Sequence, residues 1–219
     1  MTNSALTATG ICFAYGGSDV LHDVDVRLDA GAITAIVGAN GSGKSTLIEI
    51  LAGVRRPREG CVERSGDVAL VVQRVAVPEA LPLTVREAIA MGTWGRRRPR
   101  REVRRSVDEA IERVGLTGFA RRSLHALSGG QRQRALIAQG IARGADVMIL
   151  DEPAAGLDAD SRTRVREILA DEARRGRAVG WVTHDHDDIA HADRVVHLVE
   201  GRRVAEPGVP SQRRANRMG

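Results

Sequence analysis

The sequence predicts an α/β fold: a mostly parallel sheet with crossover helices, an added antiparallel β part, and an inserted all-helical subdomain. Three observations carry this. Several short, nearly all-apolar runs alternate with helical segments, as in a parallel sheet covered on both faces. One early segment instead alternates with period two. Residues from about 84 to 127 have helical periodicity and no convincing strand.

The elements follow in order. Val24, Val26 and Leu28 alternate with Asp23, Asp25, Arg27 and Asp29, which predicts a half-buried strand of antiparallel type. Gly16 and Gly17 supply a turn before it. Ile33 to Val37 is almost wholly apolar and should be buried on both faces. Val68 to Val72, Val147 to Leu150, Ala178 to Val182 and Val195 to Val199 are further strand candidates. Within the insert, Thr84 and Glu87 form a capping box ahead of Ala88, Ile89 and Met91. Val103, Val107, Ile111 and Val114 define a second amphipathic helix. The expected organisation is one domain over 1–206, its helical insert at about 84–127, and a polar, basic, flexible tail at 207–219. There are no internal repeats.

Composition narrows the function classes. A chain of 219 residues that is 42% hydrophobic can bury a sizeable core, and only 2% aromatics makes that core aliphatic. No apolar run reaches the roughly 20 residues of a membrane span, and the first ten residues do not read as a secretory leader. Cys12 and Cys61 lie in separate strand-like segments and are expected as buried thiols. The net charge of +5 does not by itself indicate nucleic acid. Lys44 is the one lysine among 33 basic residues, a skew that points to genomic codon bias. The densest run, Arg96, Arg97, Arg98, Arg100 and Arg101 around Pro99, is expected in a loop and lacks interleaved aromatics for base stacking. No nucleic-acid partner is expected; an anionic membrane surface is a comparable alternative for the run.

Gly38-Ala39-Asn40-Gly41-Ser42-Gly43-Lys44-Ser45 matches G-x-x-x-x-G-K-[ST] in full, after a predicted strand and before a predicted helix over Thr46 to Ala52. The glycines let backbone N–H groups close around phosphate oxygens, and the helix N-terminus adds partial positive charge. Lys44 would neutralise β- and γ-phosphates, and Ser45 would offer its hydroxyl to Mg²⁺. A lysine here, in a chain that otherwise uses arginine, suits a site needing a compact ammonium. The core is therefore of the P-loop nucleotide-hydrolase type.

Val147-Met148-Ile149-Leu150 delivers Asp151 and Glu152 at the C-terminal end of a buried strand. Asp151 would hold Mg²⁺ through its water shell, and Glu152 is placed to polarise the attacking water. Leu127-Ser128-Gly129-Gly130-Gln131, before a helix over Arg132 to Arg143, is a second glycine-rich helix N-terminus. Since one phosphate chain is already held at Lys44, the second cradle suggests the nucleotide of another subunit.

With these motifs the chain resembles the nucleotide-binding subunits of ABC transporters over about residues 5–206. The resemblance implies further roles. Tyr15 matches the aromatic that stacks on adenine, and Gln73 the Q-loop glutamine near Mg²⁺ and the attacking water. Ala155-Gly156-Leu157-Asp158 matches the D-loop, and His184 the histidine that contacts the γ-phosphate. Ala154 and Ala155 depart from the usual Thr and Ser of this stretch, which leaves hydrolysis intact and bears on D-loop coupling. The implied assembly is a head-to-tail homodimer with ATP and Mg²⁺ sandwiched between Lys44, Asp151 and Glu152 of one copy and Ser128 and Gly130 of the other. The implied partners are an integral membrane permease and, indirectly, an extracytoplasmic substrate-binding protein. The implied location is the cytoplasmic face of the cell membrane.

Val72-Gln73-Arg74, Pro78, Leu83-Thr84-Val85 and Met91-Gly92 resemble ATPases of zinc- or manganese-type importers. Other readings are a soluble ABC ATPase acting on ribosomes or DNA, and the ATPase of a haem or drug exporter. Residues 81–86 are expected to offer exposed apolar groups to the permease. His184, Asp185, His186, Asp187, Asp188 and His191 could be taken for a metal cluster, but a capped acidic helix is the expected structure.

Overall fold

The computed structural model describes residues 4–72, 82–95 and 97–204. Strands β1 (Ser4–Tyr15) and β2 (Ser18–Asp29) form an antiparallel hairpin through the predicted Gly16-Gly17 turn. Strand β3 (Ile33–Val37) leads into helix α1 (Lys44–Leu51), and β4 (Glu59–Arg64) returns to pair antiparallel with β1. After β5 (Val68–Val71) the chain becomes helical. It forms α2 (Val85–Ala90) and α3 (Arg100–Arg113), short 3-10 turns, and α4 (Gly129–Arg143). The α/β rhythm then resumes with β6 (Val147–Asp151), α5 (Ala159–Arg174), β7 (Ala178–Val182), α6 (His186–Ala190), β8 (Arg194–Val199) and β9 (Arg202–Val204).

Two sheets result. One is antiparallel, in the order β2-β1-β4; the other runs β5-β6-β7-β3-β8-β9 and is parallel except for the β8–β9 pair. The larger sheet is covered on both sides, so its central strands have no polar face. Strand β6 shows this residue by residue. Val147 and Ile149 join a core shared with α1 and the antiparallel sheet, whereas Met148 and Leu150 join the core under α4, α5 and the helical insert. Burying one such side chain contributes about 1.5–3 kcal/mol, and all five residues of β3 and of β7 are buried.

The insert is attached through apolar packing and a few polar ties. Val85, Ile89, Val107, Ala110, Ile111 and Val114 enter the same core as α4. Gln139 Nε2 donates to the Ala88 carbonyl at 2.6 Å, and Arg98 Nη2 donates to that of Arg143 at 3.0 Å. At the base of the insert, fully buried Glu172 meets Arg113 at 3.4 Å and Arg177 at 2.9 Å.

Several sequence expectations are corrected. Helix α1 begins two residues early, at Lys44, because the phosphate-type loop hands its last glycine to the helix as N-cap. Helix α4 begins at Gly129 rather than Arg132, since Ser128 and Gln131 close a capping box around the glycines. Strand β5 stops at Val71. Arg100 and Arg101 belong to the first turn of α3, with Pro99 as its N-cap. The thiols are not buried: Cys61 is exposed and Cys12 half-buried, because sheet β2-β1-β4 buries only one of its faces. In the segment expected to be exposed, Val85 is fully buried and Leu83 packs against the core; Leu81 lies outside the described residues, as do Gln73, Arg96 and the 207–219 tail.

Candidate active site

The loop after β3 has a backbone that only its glycines permit. Gly41 and Gly43 have φ of 80° and 99°. A Cβ on Gly38 would lie 2.2 Å from the Leu198 carbonyl oxygen, and one on Gly43 2.8 Å from Leu21 Cδ2. Gly43, as N-cap, provides no side chain to the first amides of α1, which leaves these donors for an anion. Val20, Asn40, Gly41, Gly43, Lys44, Ser45, Thr46 and Glu152 line a cleft of about 420 Å³. The Lys44 ammonium donates to the carbonyls of Gly38 at 2.8 Å and Ala39 at 2.9 Å, so it is held at the loop rather than in solvent. Ser42 Oγ is buried without a hydrogen-bond partner in the same loop.

Strands β6 and β7 lie side by side in parallel, with Asp151 opposite Val182, and so bring the two chain segments beyond them to one end of the sheet. Glu152 follows β6 directly. Its φ of 44° is rare for a residue with a side chain and costs about 1–3 kcal/mol. Its N–H donates to Val182 O at 3.1 Å, and its carbonyl accepts from Ala155 N at 3.1 Å; these bonds maintain the conformation. Its carboxylate Oε1 lies 3.8 Å from Nδ1 of exposed His184.

Burial, and then the Glu152 charge beside it, raise the Asp151 pKa above the ordinary carboxylate value, against the opposing influence of Lys44 and a hydrogen bond with Ser45. A carboxylate in contact with a hydroxyl and near a second carboxylate is a hard-oxygen donor set that fits Mg²⁺.

His184 stands on a loop fixed by arginines that sequence reasoning missed. Asp185 caps α6, accepting from the amides of Asp187 and Asp188, and it accepts from Arg162 Nη1 at 2.8 Å. Burial opposes its ionisation, but those amides and the Arg162 and Arg166 charges hold its carboxyl below the usual value. Buried Asp188 meets Arg166 Nε at 2.5 Å and accepts from Thr183 Oγ1 at 2.9 Å. Among the described residues, no three His, Cys, Asp or Glu side chains converge as a metal site. His191 Nδ1 instead contacts the Asp187 carbonyl at 2.6 Å. A signal for Arg162 and Arg166 existed in their spacing on α5, facing an acidic helix start, but only the fold places those elements together.

The second glycine-rich start is tightly built. Ser128 Oγ accepts from Gln131 N at 3.3 Å, while Gln131 Oε1 accepts from Ser128 N at 3.1 Å. A Cβ on Gly130 would lie 2.2 Å from Ser161 Oγ, so the start of α4 rests on the start of α5. Asp158 caps α5 through Ser161 N at 2.8 Å, and this hydrogen bond lowers its carboxyl pKa. Arg162 also reaches the Leu157 carbonyl, at 3.4 Å, and thereby joins the 155–158 loop to the segment carrying His184. Tyr15, 42% exposed, ends β1 on the hairpin that also supplies Val20 to the cleft.

Comparison with known proteins gives the family. Residues 21–155 match the family model described as ABC transporter. The chain is 37% identical to the zinc import ATP-binding protein ZnuC of Paramagnetospirillum magneticum, over 94% of this chain and 78% of that protein. It is 39% identical to the aliphatic sulfonates import ATP-binding protein SsuB of Mycobacterium avium, over 91% and 80%. The solved structure of cbiO1 from Clostridium perfringens, part of the ABC transporter complex cbiONQ, superposes with a TM-score of 0.81 at 27% identity, covering 93% of this chain and 88% of that one. The chain belongs to the ATP-binding subunits of ABC transporters and is an ATPase.

Proposed function

We propose that the protein powers import of a metal ion such as zinc or manganese through a separate integral membrane permease. It would act from the cytoplasmic face of the membrane as an ATP-dependent homodimer, in a system that also uses an extracytoplasmic substrate-binding protein. The observation that carries the catalytic part is the convergence of Lys44, Asp151, Glu152 and His184 at one end of the sheet.

ATP phosphates would lie on the amides of Gly41, Ser42, Gly43 and Lys44, with Asn40 and Thr46 at the edges of the cleft. The Lys44 ammonium would exchange the Gly38 and Ala39 carbonyls for phosphate oxygens. Ser45 and Gln73 would hold Mg²⁺, with Asp151 in its outer shell; the ion would neutralise charge on the β- and γ-phosphates. Glu152 takes the proton of the attacking water, and His184 contacts the γ-phosphate oxygens. Ser128, Gly129, Gly130 and Gln131 of a second copy close the site, with Asp158 at the seam. Hydrolysis would then wait on a conformational step. The half-buried Glu152 carboxylate, held near His184, supports this assignment.

The metal cargo is supported by the segment around Leu83-Thr84-Val85 and Met91-Gly92 and by the zinc-importer relative. The sulfonate-importer relative, at a similar identity, favours an organic anion as a second reading. Purification of the tagged protein from membranes tests the transport role. Co-isolation of an integral permease is expected, and zinc uptake should fall when the subunit is deleted. Ribosomes or DNA in place of a permease would overturn it, and lost sulfonate uptake with normal zinc uptake would move the cargo to the second reading.

A further inference from the structure

Arg55 does not line the phosphate cleft, yet it is held by several contacts beside Tyr15. Its guanidinium carbon stands 4.9 Å from the centroid of the Tyr15 ring and 6.0 Å from that of Phe13. The two rings are themselves in contact, 4.9 Å apart and inclined at 79°. Phe13 packs into the core beneath. The Arg55 guanidinium is hydrogen-bonded and ion-paired with Glu49, which lies on α1, the helix that opens with Lys44. The backbone amides of Val54 and Arg55 both donate to the Glu49 carbonyl, at 2.8 and 3.3 Å, so the main chain at Arg55 is tied to α1 as well.

Tyr15 is thus gripped from one side. Its ring meets that of Phe13 nearly at right angles, a cation lies over it, and 42% of the residue remains open. A ring at the tip of a two-residue hairpin turn would otherwise be free to change rotamer. A cation over one face also draws electron density toward itself and leaves the other face better suited to an electron-rich ring. We propose that Arg55 is a positioning residue for the nucleotide base: it clamps Tyr15 from behind and ties it, through Glu49, to the phosphate-binding helix. The base then stacks on the free face of Tyr15, opposite the guanidinium. This rests on the reading of Tyr15 as the base-stacking residue.

Calorimetric titration with ATP and with inorganic tripolyphosphate, which has no base, tests both layers. Tyr15→Ala should weaken ATP and leave tripolyphosphate unchanged. Arg55→Ala should weaken ATP about two- to fivefold, the range of an exposed cation–π contact, and also leave tripolyphosphate unchanged. Arg55→Lys should recover part of that loss. In the Tyr15→Ala/Arg55→Ala double variant the losses should not add, because the arginine acts only through the ring. Tripolyphosphate binding reports in every variant that the phosphate loop is folded. If Arg55→Ala left ATP affinity unchanged while Tyr15→Ala weakened it, base stacking would stand and the clamp would be wrong. An equal loss for both ligands would make Arg55 merely structural. Tighter ATP binding by Arg55→Ala would mean that the guanidinium occupies the base's own face. Unchanged ATP binding by Tyr15→Ala would remove both readings.

Discussion

The Glu152 carboxylate and the His184 imidazole face each other at 3.8 Å, from loops that leave the adjacent ends of β6 and β7. Neither residue is near the other in sequence. The parallel register that sets Asp151 beside Val182 makes them neighbours, and the positive φ of Glu152 turns its side chain out of the strand.

This arrangement separates His184 from the histidines around it. His184→Ala should lower ATP turnover by about 10²-fold, the order found when one polar contact to a reacting centre is removed. His186 opens the short α6 and His191 caps its C-terminal end; the first is exposed and the second contacts the Asp187 carbonyl. The double variant His186→Gln/His191→Gln should therefore keep near-normal turnover. Steady-state phosphate release measures both, and a collapse in the double variant would sink the distinction.

The loop behind His184 should be a stability element. Arg166 neutralises Asp188, which is 1% exposed, across 2.5 Å. Arg166→Leu leaves that carboxylate buried and uncompensated, a loss of about 3 kcal/mol or more. Urea unfolding of the nucleotide-free protein would show it as a lower midpoint. A midpoint within experimental error of the wild type would mean that solvent reaches Asp188 freely.

Asp151 predicts the opposite behaviour, stability gained at the expense of function. Burial, with the adjacent Glu152 charge, raises its folded-state pKa above the ordinary value. The ionised form is thus disfavoured in the folded protein. The penalty is full above the folded pKa and fades as the pH falls through it toward the unfolded value. Asp151→Asn should raise the melting temperature of the nucleotide-free protein near neutral pH, by a margin that shrinks on acidification, while ATP hydrolysis is lost. A variant less stable than wild type near neutral pH would contradict this.

Much of this was legible in the residues. Ile33–Val37 and Ala178–Val182 coincide with β3 and β7, because a strand buried on both faces must be apolar throughout. The Thr84–Glu87 capping box is formed as its spacing predicts. Strands β1 and β4 show in the sequence only as strand-like segments around Cys12 and Cys61, without bounds, and β9 does not show at all. Exposed β4 and β9, with sequences Glu59–Arg64 and Arg202–Val204, have little apolar pattern to read. The phosphate loop and the Asp151-Glu152 pair could be read because their chemistry is local in sequence. Arg162, Arg166 and Arg55 could not, since each acts on a partner brought near only by tertiary packing.

Ser128 gives the test of the second half-site. Ser128→Arg adds bulk and charge at the start of α4, where a partner's nucleotide would lie. In a Glu152→Gln background, light scattering should show an ATP-dependent dimer that the added Ser128→Arg abolishes, with ATP binding to the monomer largely kept. Persistence of the dimer would mean that the Ser128–Gln131 segment does not face a second subunit.

The central claim, that Glu152 activates water at the Lys44 cleft, is tested most directly by single-residue replacement at that carboxylate. Glu152→Gln keeps the volume and hydrogen-bonding capacity but removes the base. ATP turnover and ATP affinity should be measured on the same purified preparation. Turnover is predicted to fall by at least about 10²-fold, the low end for a lost general base, with ATP still bound at near wild-type affinity. Turnover within a few-fold of the wild type would contradict the account.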